Sequence, residues 1–331
     1  PEKQNLDAHQ RFDFRASHPF QNSYLEEPVV DQWILVLRHV VNKTWPALEM
    51  TETQFKIMVS HDVDLPSKYG FFTHFELIKR AIRDCLRKRS INDLTKLAML
   101  KTSSSNPMHK DDPFNSFDWI MQQSELLNIK SAFYFICGRT SPKLDAPYEL
   151  EHPAIRSLLR KIHRRGHEIG LHPSYNTFQN PAEIVAEADR LRTVTEHEQI
   201  QQTDWGGRMH FLRWEWPTTA TGWSLANVNY DSTLGFAGHS GFRCGTCHEY
   251  PMFDPIDQKQ LNIRQRPLIV MESSIIADHY AGYGYSEQGL RKVKKLKDRC
   301  RSVHGNFTLL WHNNHFTTAM DRDTYQKWLV I

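Results

Sequence analysis

Short apolar runs recur along this chain, each followed by a stretch rich in helix formers. Phe55–Val59, Ala132–Ile136, Glu168–Leu171, His210–Arg213, Val228–Tyr230, Leu268–Glu272 and Phe307–Trp311 read as buried strands. The intervening segments carry helical spacing. Phe117, Ile120, Met121 and Leu127 form one stripe, Ile155, Leu158, Leu159 and Ile162 another, and Glu287–Val303 a third helix. Gly166 suits the end of the second, and Asn180-Pro181 with Glu183 suits the start of a further one. Strand, crossover and strand repeated about seven times predict an α/β fold with a parallel, barrel-like sheet.

No internal repeat or low-complexity linker divides residues 52–331, so they read as one domain. Residues 1–51 read as an N-terminal helical extension, with a helix over Asp31–Val41 stopped at Trp45-Pro46. Because the chain opens on Pro1 rather than Met, the natural N-terminus is expected upstream. The net charge of +3 is too small to argue for nucleic acid. The basic stretch with Lys79, Arg80, Arg83, Arg87, Lys88 and Arg89 therefore reads as a solvated face of a helix over 74–100, followed by a loop or lid over 101–115. Five dispersed cysteines do not make a disulfide framework and point to a reducing compartment. No apolar run approaches membrane-spanning length and no signal-peptide pattern is present, so the expected location is cytoplasmic. Cys244-Gly-Thr-Cys247 has half-site spacing, but no second pair completes it, and a tight packed turn is the better reading.

The chemistry concentrates at Ser60-His61-Asp62-Val63-Asp64, which closes the first strand. Carboxylates half buried at a strand's carboxyl end need a cation, a proton or hydrogen-bond donors, and that end is where active sites of β/α folds lie. His172 closes the third strand, with Asn176 four residues on. A carboxylate, an imidazole and one further N or O donor make a ligand set with open positions for water and substrate. His312 follows the last strand and is a candidate general acid. Arg213, ending the fourth strand, is a candidate partner to hold Asp62 ionised, and Asp231 a candidate to orient His312.

This arrangement resembles the polysaccharide deacetylases of the NodB-homology type (carbohydrate esterase family four), and within them a divergent bacterial branch. The likeness runs in motif order over most of residues 55–315 and includes Gly166-His-Glu-Ile-Gly-Leu-His172 and Ser131-Ala-Phe-Tyr-Phe-Ile136. Asp112-Pro-Phe-Asn-Ser-Phe-Asp-Trp119, Gly241-Phe-Arg-Cys-Gly-Thr-Cys247 and Leu309-Leu-Trp-His-Asn313 carry the narrower likeness. It implies a distorted (β/α)7 barrel and one divalent ion, zinc first, held by Asp64, His172 and Asn176. It further implies Asp62 as base, Arg213 as its partner, and His312 as acid oriented by Asp231. Trp214, Trp216, Tyr230 and Trp311 lie beside these residues and are candidates to stack on a sugar ring. Val63 separates two aspartates that are adjacent in the family, and Asn176 stands where the family has histidine. The implied function is hydrolysis of an N-acyl group on an amino sugar of a bacterial polysaccharide or its precursor. Two alternatives stay open: a small-molecule amide, cyclic-imide or formyl hydrolase on the same fold, and a glycan-binding or assembly protein with a degenerate metal site.

Overall fold

A computed structural model describes residues 4–73, 75, 76, 79 and 106–331. The expected basic helix falls largely outside these residues, as do residues 101–105 of the expected lid. The strands are β1 (Lys56–Val63), β2 (Ser131–Ile136), β3 (Glu168–His172), β4 (Gly206–Gly207), β5 (Tyr230–Asp231), β6 (Tyr250–Asp254), β7 (Lys259–Gln265), β8 (Val270–Met271) and β9 (Asn306–Leu310). They form a single sheet in the order β6-β7-β5-β4-β3-β2-β1-β9-β8. Every pairing is parallel except the β6–β7 hairpin. Seven parallel strands, β1 to β5 with β8 and β9, thus follow one another in chain order around a distorted (β/α)7 barrel. β5 and β8 are not paired. The hairpin joins β5 there, and one loop hydrogen bond, from the Leu268 amide to the Leu234 carbonyl at 3.1 Å, spans the opening.

Burial explains the strands. β2 is buried at every position, as expected of a parallel strand covered on both faces. On β1, Ser60 and Asp62 face the barrel interior, where both meet the Arg208 guanidinium. His61 points outward, stacking on Phe133 and donating from Nδ1 to the Trp311 carbonyl at 2.7 Å. Burial lowers its pKa to about 3, so it is a neutral core residue.

The crossover helices include α1 (Phe117–Leu126), α2 (Pro153–Arg164), α3 (Pro181–His197), α4 (Thr218–Leu225), α5 (Glu272–Ile276) and α6 (Glu287–Ser302), with α7 (Ala319–Val330) at the end. Ile155, Leu158, Leu159 and Ile162 are the buried face of α2. Asn180 caps α3 through the Glu183 amide, with Pro181 in the first turn. Among the described residues, no helix is long and apolar enough to cross a membrane.

Glu187 on α3 lies beneath the loop that leaves β3, accepting from the Ser174 amide at 2.9 Å and the Ser174 hydroxyl at 2.5 Å. Burial raises its pKa to about 7 despite these donors. A raised carboxyl pKa stabilises the fold only while the group is protonated. Its contribution is therefore lost as pH climbs from the ordinary carboxylate range through about 7. For Glu187→Gln, urea unfolding at pH 5 and pH 8 is expected to show a smaller fall in stability than wild type, by about 2–3 kcal/mol at most. Equal falls in the two proteins would contradict this.

Candidate metal centre

The sheet register brings the strand ends to one level: Ile136 pairs with His172, Leu171 with Gly207, and Gly207 with Asp231. The site is built just beyond it. Asp64 follows β1, His172 ends β3, Arg208 and His210 follow β4, Glu272 follows β8, and His312 lies beyond β9.

β4 consists only of Gly206-Gly207, and the chemistry explains why. A Cβ at Gly206 would sit 1.9 Å from the Tyr230 ring, and one at Gly207 would sit 2.1 Å from the Leu171 carbonyl. The fourth strand therefore lies upstream of the expected His210–Arg213, which instead contains the 3-10 turn His210–Leu212. That shift changes which residues leave the strand end toward the site.

Three donors converge there. Asp64 Oδ1 lies 3.3 Å from His172 Nε2 and 3.6 Å from His210 Nδ1, and the two ring nitrogens are 3.0 Å apart. The far nitrogen of each ring is committed: His172 Nδ1–H donates to the Arg208 carbonyl at 2.6 Å, and His210 Nε2–H donates to the Leu144 carbonyl at 2.9 Å. These bonds select tautomers whose lone pairs face each other and the carboxylate. Asp64 Oδ1 is buried without a hydrogen-bond donor. Two lone pairs and an anionic oxygen at such range repel unless a cation or a proton joins them. Two imidazoles and a carboxylate suit zinc and related divalent ions, so the residues present fit a metal. Burial works against ionised Asp64, yet a proton shared with His210, His172 or His312, standing where a cation would, holds its pKa far below the usual carboxylate range.

Asp62 stands beside this trio, 3.8 Å from His172 Nε2. Its partner is Arg208, whose Nη1 donates to Oδ1 at 2.7 Å, and not Arg213. Arg208 is fully buried, with further bonds to the Ser60 hydroxyl at 2.8 Å and the Ser232 carbonyl at 2.9 Å. Across the site, His312 Nε2 is 3.8 Å from Asp64 Oδ2, and His312 Nδ1–H donates to Glu272 at 2.6 Å. Burial lowers the His312 pKa, but Glu272, Asp64 and Asp62 outweigh it and bring it up to about 10. Glu272 is thus the carboxylate that orients this imidazole.

The expected roles of several residues need correcting on this geometry. Arg213 donates to the His9 and Tyr175 carbonyls and to the side-chain oxygens of Gln10 and Asn176, because it leaves the loop three residues past His210 on the outer side. Asn176 is occupied by Arg213 and by Thr140, and it is not one of the three converging donors. Asp231 is fully buried and capped by the Thr233 amide at 3.0 Å and the Thr233 hydroxyl; burial raises its pKa to about 7. Tyr230 bonds Tyr134 and Glu168 inside the barrel, and Trp311 stacks on Phe316 in the core, so neither ring is open to a sugar. Trp214 and Trp216 stack at 6.2 Å beside a cavity of about 480 Å³ that Phe12, Arg243 and Tyr250 also line.

Arg208, His210 and Glu272 escaped sequence reasoning. The available signals were an Arg-x-His pair directly after Gly-Gly, and an acid closing the apolar run Leu268–Met271. The Cys244–Cys247 segment is a turn that Asp31 caps through the Thr246 hydroxyl at 2.5 Å and the Cys247 amide at 2.8 Å.

Comparisons with known proteins bear on separate parts of the chain. A model for a family of unknown function (DUF7033) matches residues 2–46. No curated protein matches. Among solved structures, the PuuE allantoinase has a TM-score of 0.47 at 11% identity, covering 86% of this chain and 85% of that one. Another, described as a "putative polysaccharide deacetylase from Mycobacterium smegmatis", has a TM-score of 0.51 at 12% identity and covers 85% of each chain. At that identity the likeness is one of fold, and the fold is the distorted barrel described above.

Proposed function

We propose that this chain is a metal-dependent hydrolase that removes an N-acyl group from an amino sugar, with zinc the leading candidate for its metal. The observation that carries this reading is the meeting of two imidazole lone pairs with the unpartnered Asp64 oxygen. It is supported by an arginine-paired aspartate on one side and a glutamate-paired histidine on the other.

Asp64, His172 and His210 would hold the ion. When bound, it supplies Lewis acidity toward the acyl oxygen and makes a water easier to deprotonate. Asp62 takes that water's proton, and the Arg208 guanidinium, 2.7 Å from Oδ1, aims the carboxylate. His312, oriented by Glu272 and kept in its doubly protonated form by that carboxylate, carries a proton on Nε2 for the departing amine. The reading of a degenerate, glycan-binding site drew on Asn176 as a weak ligand; with His210 in the set, that ground is gone.

Asp62→Asn is expected to lower kcat by roughly 10²–10⁴-fold, the range for loss of a general base, while metal content stays near one per chain. The assay is release of acetate from N-acetylglucosamine oligomers, with formate and ring-opened acids measured on N-formyl sugars and cyclic imides. Loss of metal in Asp62→Asn would make Asp62 a ligand and overturn the role given to it.

A further inference from the structure

We infer that the N-terminal segment around residues 7–13 is a brace for the metal centre, with Arg213 as its positioning residue. This inference rests on the metal-centre reading above.

The loop from β4 to Arg213 carries both Arg208 and His210, and its backbone is unusual. Phe211 and Leu212 lie consecutively in the left-handed region, at φ 60° and 57°. Bulky residues rarely adopt that conformation without surroundings that enforce it. Here the enforcement comes from the N-terminal segment. Arg11 Nη1 donates to the Phe211 carbonyl at 3.1 Å. The His9 ring packs on the Phe211 ring at 4.6 Å, and His9 Nδ1 is 3.0 Å from the Tyr175 hydroxyl. The segment is itself closed on Asp7, which accepts from the His9 amide at 2.8 Å, the Arg11 amide at 3.0 Å and Arg11 Nε at 2.7 Å.

Arg213 ties three pieces of chain together. Its Nε donates to the His9 carbonyl at 2.9 Å and Nη2 to Gln10 Oε1 at 2.7 Å, both on the N-terminal segment. Nη1 donates to the Tyr175 carbonyl at 2.6 Å and to Asn176 Oδ1 at 3.2 Å. The guanidinium is held between the Tyr175 and Phe178 rings at 4.0 and 3.8 Å. Tyr175 lies three residues after His172, and Arg213 three residues after His210. One side chain thus fixes the loops behind both imidazoles relative to each other, and the N-terminal segment supplies two of its acceptors. A planar fork with fixed donor directions suits this task, and an ammonium does not.

The test uses the full chain with Arg213→Ala, Arg213→Lys, Arg11→Ala and, as control, Lys327→Ala. Lys327 is exposed and paired with Asp323 on α7. Two quantities are read: cobalt(II) affinity with its visible spectrum, and hydrogen exchange over residues 206–214 in metal-free protein. Arg213→Ala is expected to weaken cobalt binding by roughly 10–100-fold, the range for outer-shell partners of metal ligands, with a changed spectrum and faster exchange. Arg213→Lys is expected to recover only part, Arg11→Ala to move both readouts in the same direction, and Lys327→Ala to stay within twofold. Unchanged exchange in Arg11→Ala, or faster exchange with unchanged cobalt affinity and spectrum, would overturn the inference. Should Arg213→Ala fail to fold, Arg11→Ala decides alone. Wild-type protein that takes up no cobalt would instead sink the metal-centre reading, and the brace with it, whatever exchange reports.

Discussion

Replacing His210 with alanine is expected to empty the metal centre, with a loss of affinity well beyond the roughly 10–100-fold that an outer-shell change produces. The reason is geometric. Asp64 and His172 alone provide two donors, and no other described side chain completes the same group. His210 Nδ1 is aimed inward only because Nε2 is committed to the Leu144 carbonyl. His172→Ala should behave alike. Asn176→Ala should leave affinity near wild type, since its amide serves Thr140 and Arg213 rather than the centre. Chelator competition with zinc measures all three. Metal lost in Asn176→Ala but kept in His210→Ala would reverse the ligand assignment.

Arg208→Ala is expected to be the most destabilising single substitution at the site, by about 3–5 kcal/mol. Arg208 and Asp62 are both buried, at 0% and 3% side-chain exposure, so deleting the cation leaves a carboxylate in a low-dielectric interior with no partner. The substitution also strands the Ser60 hydroxyl and the Ser232 carbonyl, which accept from the same guanidinium. Removing both charges should cost less than the sum of the separate substitutions. Asp62→Asn combined with Arg208→Ala is therefore expected to recover part of the loss. Urea unfolding of the two singles and the double measures this coupling. A loss under about 1 kcal/mol in Arg208→Ala would mean that the pair is solvated and open.

How much of this was legible depends on which signal each element carries. β1, β2, β3 and β9 announce themselves as apolar runs, and the aspartates, His172 and His312 stand at or just past their ends. β4 has no side chains with which to signal. The nearest run with bulk, His210–Arg213, drew the strand downstream, which placed Arg213 in the position that Arg208 occupies. β8 ends at Met271, so Glu272 opens a helix at the site, although the run Leu268–Glu272 reads as a single strand. Asp231 closes β5, one residue past the expected strand Val228–Tyr230, but the barrel is open between β5 and β8, and the acid nearest His312 comes from the other side of that opening. Tyr230 and Trp311 adjoin site residues in sequence, yet their rings turn into the core. No local pattern reveals that residues 7–13 reach the loop carrying His210. That contact joins positions about 200 apart.

An anomalous difference map at the zinc edge, from crystals of the metal-loaded protein, tests the central claim most directly. The expected result is one strong peak about 2.0–2.2 Å from Asp64 Oδ1, His172 Nε2 and His210 Nδ1. A peak instead at Glu272, His312 and His315, or at Asp31, Cys247 and His248, would contradict the account, as would none at all.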